Sequence, residues 1–312
     1  MLNRKLAIII VNYNCATDTV ECLNSLYKVN LEQAYFTIVD NNSSDNSVEL
    51  LTDHIEKKCR SGRIYDSNSI IDLKSKDDTF SKINFIKSDK NLGFAGGNNL
   101  ALDFLLTSGY FSTKDHILLL NPDTIVTKNT LRSFLEIKNN SFIASCTIKS
   151  YQHPKTILSY GGYKINRFFG LIRPSGKNEE PDYVYGGALA TNFYTIEKLG
   201  MLPSEYFLYW EETDFCTKAK KTGIPLLLIN NTFILDKVGQ STGRGKLANY
   251  YFVRNSFLFF KKYYPRSVFT LFITNTLRIF HKLVKGDYES AKGMFLGITD
   301  YLKSNYGYKD FS

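Results

Sequence analysis

An α/β fold, with a mostly parallel central sheet flanked by helices and a C-terminal helical appendage, is the class this sequence predicts. Three observations carry that expectation. Short apolar runs of strand length alternate with stretches whose apolar residues recur at helical spacing, the β-α-β-α order of a doubly wound sheet. The early runs stop at Asn or Asp, so polar groups collect at strand carboxyl ends, where open α/β sheets bind ligands. From near residue 245 the alternation gives way to a basic, aromatic stretch.

Leu6–Val11 is six consecutive apolar residues exiting into Asn12-Tyr13-Asn14, a buried first strand. Val20, Leu23, Leu26 and Tyr27 predict a helix over Thr17–Lys28. Tyr35–Val39 is the second strand, with Asp40 at its end, and the turn-rich 41–47 supplies an N-cap for the next helix. Residues 60–82 have a poor apolar pattern and read as an excursion at the sheet edge, and Ile83–Lys87 is the third strand. Residues 91–99 are glycine-rich and run into a helix through Leu100, Phe104 and Leu105. His116–Asn121 is a strand halted at Pro122, because proline fixes φ and donates no ladder hydrogen bond. A helix through Leu131, Phe134 and Leu135 follows, then a strand at Phe142–Ile148. Residues 150–185 read as short strands and a loop over the cleft, 185–190 as a turn and a tightly packed strand, and Ile196–Gly200 as a short helix. The aromatic and acidic stretch 206–216 opens a helix to Gly223, and late strands at Pro225–Ile229 and Phe233–Leu235 are closed by residues 236–241.

A chain of 312 residues can bury a full core. Its five cysteines (15, 22, 59, 146, 216) form no CxxC pair and are odd in number, which suits buried, reduced thiols in a cytosolic protein. The first apolar run ends at Val11 with no cleavage-site pattern after it, so it is not read as a signal peptide. Of the net charge of +9, residues 244–312 carry +8, from 12 Lys/Arg against 4 Asp/Glu. Such a tail suits nucleic acid or an anionic membrane. Its many bulky apolar residues argue against a solvated nucleic-acid groove, and the longest uncharged run, Ser267–Leu277, is 11 residues, too short to span a bilayer. Contact with a membrane surface is the expectation, with part of the aromatic content packing on the main domain. The four histidines show no metal-ligand spacing.

Three stretches point to chemistry. Asp123 is a single carboxylate at a strand end, which suits Mg²⁺ or Mn²⁺ already held by phosphates; the plain alternative is a turn Asp capping a helix. Glycines at the start of the 91–99 helix let the backbone approach an anion, or make only a flexible turn. They are neither the dinucleotide fingerprint, which would follow the first strand, nor a Walker loop, which needs Gly-Lys-Ser/Thr. Glu211, Glu212 and Asp214 follow the only Trp, Trp210. The helix dipole alone accounts for acids in a first turn, whereas a carboxylate beside Trp suits a general base next to a sugar-stacking ring. Glu211 and Asp214 share a helix face while Glu212 points about 100° away, so the three acids cannot share one task.

VNYN at 11–14, VDNNSSDNS at 39–47, NLGFAGGNN at 91–99, LLNPDT at 119–124, FLYWEETDFC at 207–216 and GQST at 239–242 are each weak and together specific. Over about residues 5–265 the chain resembles family 2 glycosyltransferases of the GT-A fold, of the rhamnosyltransferase-like kind found in bacterial polysaccharide and O-antigen assembly. The resemblance implies a catalytic domain over 1–245, with a nucleotide-binding half (1–126) and an acceptor half (127–245), and a tail over 246–312. It implies that Asp40 accepts a hydrogen bond from the imide of uracil or thymine, and that Asn12, Tyr13, Asn14 and Asn42 surround the base and ribose. Asn91, Gly93, Phe94 and Asn98 would flank the nucleotide. Asp123 takes the metal-binding place of the DxD motif and Asn121 that of its first acid. Glu212 stands at the position of the base, usually Asp, with Glu211 before it, and the assignment is open between the two. Asp236 replaces a His that can help hold the metal. Trp210, Tyr209 and Gly187 would face the acceptor. The implied enzyme uses Mg²⁺ or Mn²⁺, moves a sugar with inversion from a dTDP or UDP donor to a hydroxyl of a lipid-linked glycan, and lies in the cytoplasm on the inner face of the cell membrane, singly or as a homo-oligomer.

A glycoside hydrolase also uses two carboxylates, but needs no nucleotide site. A nucleotidyltransferase would show a glycine-rich basic loop after the first strand. A catalytically silent homologue acting as a partner or membrane adaptor is the alternative that Asn121 and Asp236 keep open.

Overall fold

The apolar run of β1 (Leu6–Asn12) is buried on both faces, and the sheet is built outward from it. The structure, a computed structural model, describes residues 4–58, 62–67, 80–127, 129–237, 245–309 and 311. After β1 come α1 (Ala16–Val29), β2 (Ala34–Asp40), α2 (Ser47–Lys58), β3 (Arg63–Asp66), β4 (Ile83–Lys87), α3 (Gly93–Thr107), β5 (His116–Leu120), β6 (Thr124–Val126) and α4 (Thr130–Leu135). The second half runs β7 (Ile143–Ser150), β8 (Ile157–Ser159), β9 (Gly162–Ile165), β10 (Ile172–Pro174), β11 (Tyr183–Val184), β12 (Ala188–Asn192), α5 (Phe193–Leu199), α6 (Glu211–Lys221) and β13 (Leu226–Asp236). Three helices close the chain: α7 (Gly245–Tyr263), α8 (Val268–Val284) and α9 (Tyr288–Leu302).

The main sheet has the order β3-β4-β2-β1-β5-β12-β7-β13-β6, with β8 beside β7. Every pairing among β3, β4, β2, β1 and β5 is parallel. β12 runs antiparallel to β5 and β7, while β13 is again parallel to β7. A small sheet of order β10-β9-β11 lies apart from it.

Strand alternation divides the core in two. Ala7, Ile9, Val39, Ile86, Ile117 and Leu119 point into one apolar layer with α3, α6 and α7, and Leu6, Ile8, Ile10, Ile38, Leu118 and Leu120 into another with α1, α2 and α4. This is the mixed α/β class expected, with its mostly parallel sheet and helical C-terminal region. Because β12 is reversed, its first residues share an edge with the last of β1, β2 and β5: Ala188 lies opposite Leu120.

Two details differ from expectation. The late strands are one strand, β13, because Asn230-Asn231-Thr232 is taken up as an irregularity in the register with β7. The excursion at 60–82 contains β3, an edge strand pairing with β4. Residues 68–79, Cys59 and the GQST stretch lie outside the described residues.

The tail divides. Tyr250, Tyr251, Val253, Phe257, Phe259 and Phe260 bury α7 against the main body. α9 comes so close to α7 that a side chain at Gly297 would meet the Tyr250 carbonyl oxygen at 2.6 Å. α8 buries only Leu271 and Asn275.

Candidate active site

Asp40 ends β2 with 1% exposure, and its charge is met by three local donors. Oδ1 accepts from Asn12 Nδ2 at 2.8 Å and Ser43 Oγ at 2.6 Å, and Oδ2 from the Ser43 amide at 3.0 Å. Asn12 is itself fully buried, with Oδ1 accepting from Thr19 Oγ1 at 2.7 Å. It orients Asp40 from beneath and leaves the surface to Tyr13, which is 45% exposed. Asn14 and Asn42 both adopt left-handed φ, and Asn14 accepts from the Ser44 amide at 2.8 Å, tying together the loops after β1 and β2.

The next residue, Asn41, was not singled out in the sequence, yet it organises the glycine-rich turn. Its Nδ2 donates to Asn91 Oδ1 and the Gly93 carbonyl at 3.1 and 3.0 Å, and its Oδ1 accepts from the Leu92 amide at 3.0 Å. Gly93 opens α3 at φ +71°, and a Cβ there would lie 2.2 Å from the Phe207 carbonyl oxygen. That close approach lets the Phe94 amide donate to the same oxygen at 2.8 Å, so the turn is fastened to the 204–210 loop.

This loop is strained. Phe207, Tyr209 and Trp210 have φ of 63°, 65° and 78°, a region costly for side chains of this size. α7 over-determines it: Asn255 Nδ2 donates to the carbonyls of Tyr206, Leu208 and Tyr209 at 2.6, 2.7 and 3.1 Å, and Arg254 adds a bond to Tyr206 at 3.2 Å.

The loop delivers the three acids of α6 to different surroundings. Asp214 is 2% exposed and bonded to Tyr206 Oη at 2.7 Å, Tyr263 Oη at 2.8 Å and Lys262 Nζ at 2.7 Å, so it is a structural clamp. Glu211 and Glu212 each have an Oε2 that is buried and lacks a hydrogen-bond partner. Burial and then the charge of Glu212 push the Glu211 carboxyl well above its usual range. Burial raises Glu212 to about 7, against hydrogen bonds from the backbone at the start of α6. Glu212 lies against Gly186, where a Cβ would stand 3.3 Å from its Cγ. Gly187 follows, and its carbonyl accepts from the Asn121 amide at 2.9 Å, which joins this turn to the end of β5.

Asp123 and Asp236 are each 4% exposed, and Asp236 pairs with Thr124, next to Asp123. The Tyr185 hydroxyl donates to Asp236, and burial followed by the charge of Asp236 pushes this phenol far above its ordinary value. Lys237 donates its amide to the Asp123 carbonyl at 3.1 Å and its ammonium to Asp18 and Glu21 on α1. The two aspartates are hard oxygen donors suited to Mg²⁺ or Mn²⁺. Among the described residues no group of three acidic, His or Cys side chains is placed for a metal, so a cation here fits only if a ligand such as a diphosphate supplies further oxygens.

These elements border a cavity of about 450 Å³. Tyr13, Asn41, Asn91, Gly93, Phe94, Asn98 and Asn121 line one part of it, and Phe207, Leu208, Leu247, Tyr308, Lys309 and Phe311 another. Tyr308 stacks obliquely on Phe207 at 5.3 Å, the Lys309 amide donates to Tyr251 Oη at 2.9 Å, and Arg254 donates to the Gly307 carbonyl at 2.6 Å. The sequence offered no signal that Tyr308, Lys309 and Phe311 border the cavity. Trp210 requires a correction. It is 2% exposed, its Nε1 donates to the Phe252 carbonyl at 2.9 Å, and its ring packs on Phe252, Phe259 and Phe260. A ring enclosed this way cannot stack on an acceptor sugar; of the aromatic pair only Tyr209 is partly exposed.

The model of glycosyl transferase family 2 matches residues 7–195. A hexosyltransferase of low-salt glycan biosynthesis from Haloferax volcanii is 28% identical over 233 residues, which are 70% of this chain and 62% of that protein. The chain thus spans less than two thirds of that relative's length. Among solved structures, the Pyrobaculum calidifontis mannosyltransferase PcManGT, in complex with GDP-Man and Mn²⁺, superimposes with a TM-score of 0.57 at 14% identity, covering 97% of this chain and 88% of the other. TarS of S. aureus gives 0.51 at 14% identity, covering 81% of this chain and 39% of TarS. With the family model covering more than half its length, this chain belongs to glycosyl transferase family 2 and has the GT-A fold.

Proposed function

We propose that the chain moves a sugar from a nucleoside-diphosphate sugar, dTDP-rhamnose or a UDP-hexose, to a hydroxyl of a lipid-linked glycan in cell-surface polysaccharide synthesis, with inversion. The observation that carries this reading is that Asp40, Asn121, Asp123 and Asp236 stand at strand ends on one edge of the sheet, with Glu212 of α6 against the Gly186 turn that leads into β12, while Asn121 also lines a cavity large enough for a sugar nucleotide. Family membership and the likeness to a hexosyltransferase of glycan biosynthesis support it.

Asp40, held in one orientation by Asn12 and Ser43, accepts the imide N–H of the base. Asn41 holds the 91–93 turn so that Asn91, Phe94 and Asn98 flank the nucleotide. Asp123 and Asp236 would hold Mg²⁺ or Mn²⁺, which would supply positive charge for the leaving diphosphate. Glu212, less enclosed than Glu211, takes the proton of the acceptor hydroxyl as that oxygen attacks the anomeric carbon and the diphosphate leaves from the opposite side. A carboxyl raised to about 7 is matched to this task near neutral pH. Burial and the charge of Glu212 push the neighbouring Glu211 carboxyl up, which disfavours two adjacent buried charges. Residues 1–245 act as the catalytic domain, in halves 1–126 and 127–245, and 246–312 as its tail.

One observation favours a second reading, a catalytically silent homologue: the Tyr185 hydroxyl already occupies Asp236. Melting measured with Mn²⁺ and a panel of UDP, dTDP, GDP and CMP separates the two. A rise with UDP or dTDP that Asp123→Ala abolishes is the expected result, and no rise with any nucleotide sinks the transferase reading.

A further inference from the structure

α8 wears its apolar side outward. Phe269, Phe272, Ile273, Leu277, Phe280 and Val284 recur at helical spacing and are exposed by 72, 40, 45, 64, 66 and 71%. The loop between β9 and β10 adds Phe168, Phe169 and Leu171, exposed by 56, 46 and 50%. The two elements are joined. Thr270 Oγ1 donates to the Phe168 carbonyl, and a Cβ at Gly170 would lie 2.3 Å from Leu271 Cδ1. An apolar stripe of this length with a second aromatic loop beside it exceeds the scattered exposure normal for a monomer's surface.

Charge decides between occupants. Residues 261–286 contain six Lys or Arg and no Asp or Glu; Lys262 and Lys282 are paired with Asp214 and Asp287, and Lys261, Arg266, Arg278 and Lys285 have no acidic partner among the described residues. In a twofold contact between two copies the same patch meets itself, so this basic segment would face its own charge. An anionic lipid surface instead complements the charge and takes up the phenylalanines. Among the described residues no helix is long and apolar enough to cross a membrane, which leaves α8 lying in the interfacial layer.

The geometry points to α8 and the 166–171 loop as one lipid-facing surface that holds the protein in the headgroup layer of an anionic membrane. It deepens the reading of a lipid-linked acceptor, on which it rests for its purpose. β9 leads back from this loop, and Tyr163 on it stacks at 5.3 Å on Tyr183 of β11, three residues before the Gly186 that lies against Glu212. One small sheet therefore connects the lipid-facing loop to the candidate base, so an acceptor anchored in the bilayer presents its glycan to a site at a fixed height.

The test is co-sedimentation of the full chain with vesicles of phosphatidylglycerol mixed with phosphatidylcholine, and with phosphatidylcholine alone. Wild type should sediment with the anionic vesicles, bind the neutral ones about tenfold less, and be released by salt. The triple variant Phe269→Ser, Leu277→Ser, Phe280→Ser should bind about tenfold more weakly than wild type, and Phe168→Ser with Phe169→Ser several-fold more weakly. Both should keep the wild-type melting response to UDP or dTDP with Mn²⁺, which checks that they fold and reads the donor site separately. Wild type left in the supernatant, or a triple variant that sediments fully, overturns the proposal. So does a wild-type dimer in light scattering that the triple variant dissolves while neither protein binds vesicles. Sedimentation without any nucleotide response would leave the lipid-facing surface standing and remove the transferase reading.

Discussion

Glu212 and Asp214 stand two residues apart in the first turn of α6, and the protein treats them in opposite ways. Asp214 meets a lysine and two tyrosine hydroxyls, two of these three partners coming from α7. Glu212 faces a glycine and keeps a buried oxygen without a partner. A carboxylate whose hydrogen bonds are complete serves architecture, whereas one left incomplete retains capacity for a substrate proton. The distinction lies in what other elements bring to each side of the helix.

Substitution should separate the two. Glu212→Gln is expected to lower the transfer rate by about 10²–10⁴-fold, with nucleotide-induced melting shifts retained. Asp214→Asn should weaken its bonds to two tyrosine hydroxyls and to the half-exposed Lys262, and cost about 2 kcal/mol of stability, read by denaturant unfolding, while the folded fraction keeps its rate.

pH sharpens the contrast. Because the Glu212 carboxyl is raised in the folded state, its contribution to stability is full below the ordinary carboxylate range and is lost as pH rises through about 7. Transfer rate should rise through the same interval as the base deprotonates. The Glu212→Gln protein should lack this loss, melting a few degrees above wild type at pH 8 despite its inactivity. A wild-type rate that is flat from pH 5 to 8 would remove Glu212 from the role of base.

Smaller effects test the surroundings. Tyr308→Ala should raise the KM for donor several-fold with kcat nearly unchanged, since its ring borders the cavity and packs on Phe207. Trp210→Phe should be smallest, about 1 kcal/mol of stability for the lost bond to the Phe252 carbonyl. A large rise in acceptor KM from that change would restore the sugar-stacking role the buried ring argues against.

What could be read from the sequence was local. Leu6–Val11, Tyr35–Val39 and His116–Asn121 announce buried strands, and Asn12, Asp40 and Asn121 mark their polar carboxyl ends, because composition over a few residues suffices for both. The reversal of β12 was not legible, since its direction depends on pairing with β5 and β7 rather than on Ala188–Asn192. Trp210 looked like a binding ring because the aromatic residues that enclose it lie 42 to 50 positions away, on α7. Asn41 carries no local signal that separates it from Asn42, because its role comes from bonds to the 91–93 turn about fifty residues on. The tail read as uniformly basic and aromatic, yet α7 is core and α8 is surface, a division that composition does not encode.

The bonds from Asn255 to the carbonyls of Tyr206, Leu208 and Tyr209 carry a consequence for synthesis. The strained loop that sets Glu212 in position has no such support until α7 has been made and docked. A nascent chain that has completed its last sheet strand still lacks a competent site. On the proposed function, transfer activity therefore waits for α7 to dock on the 204–210 loop.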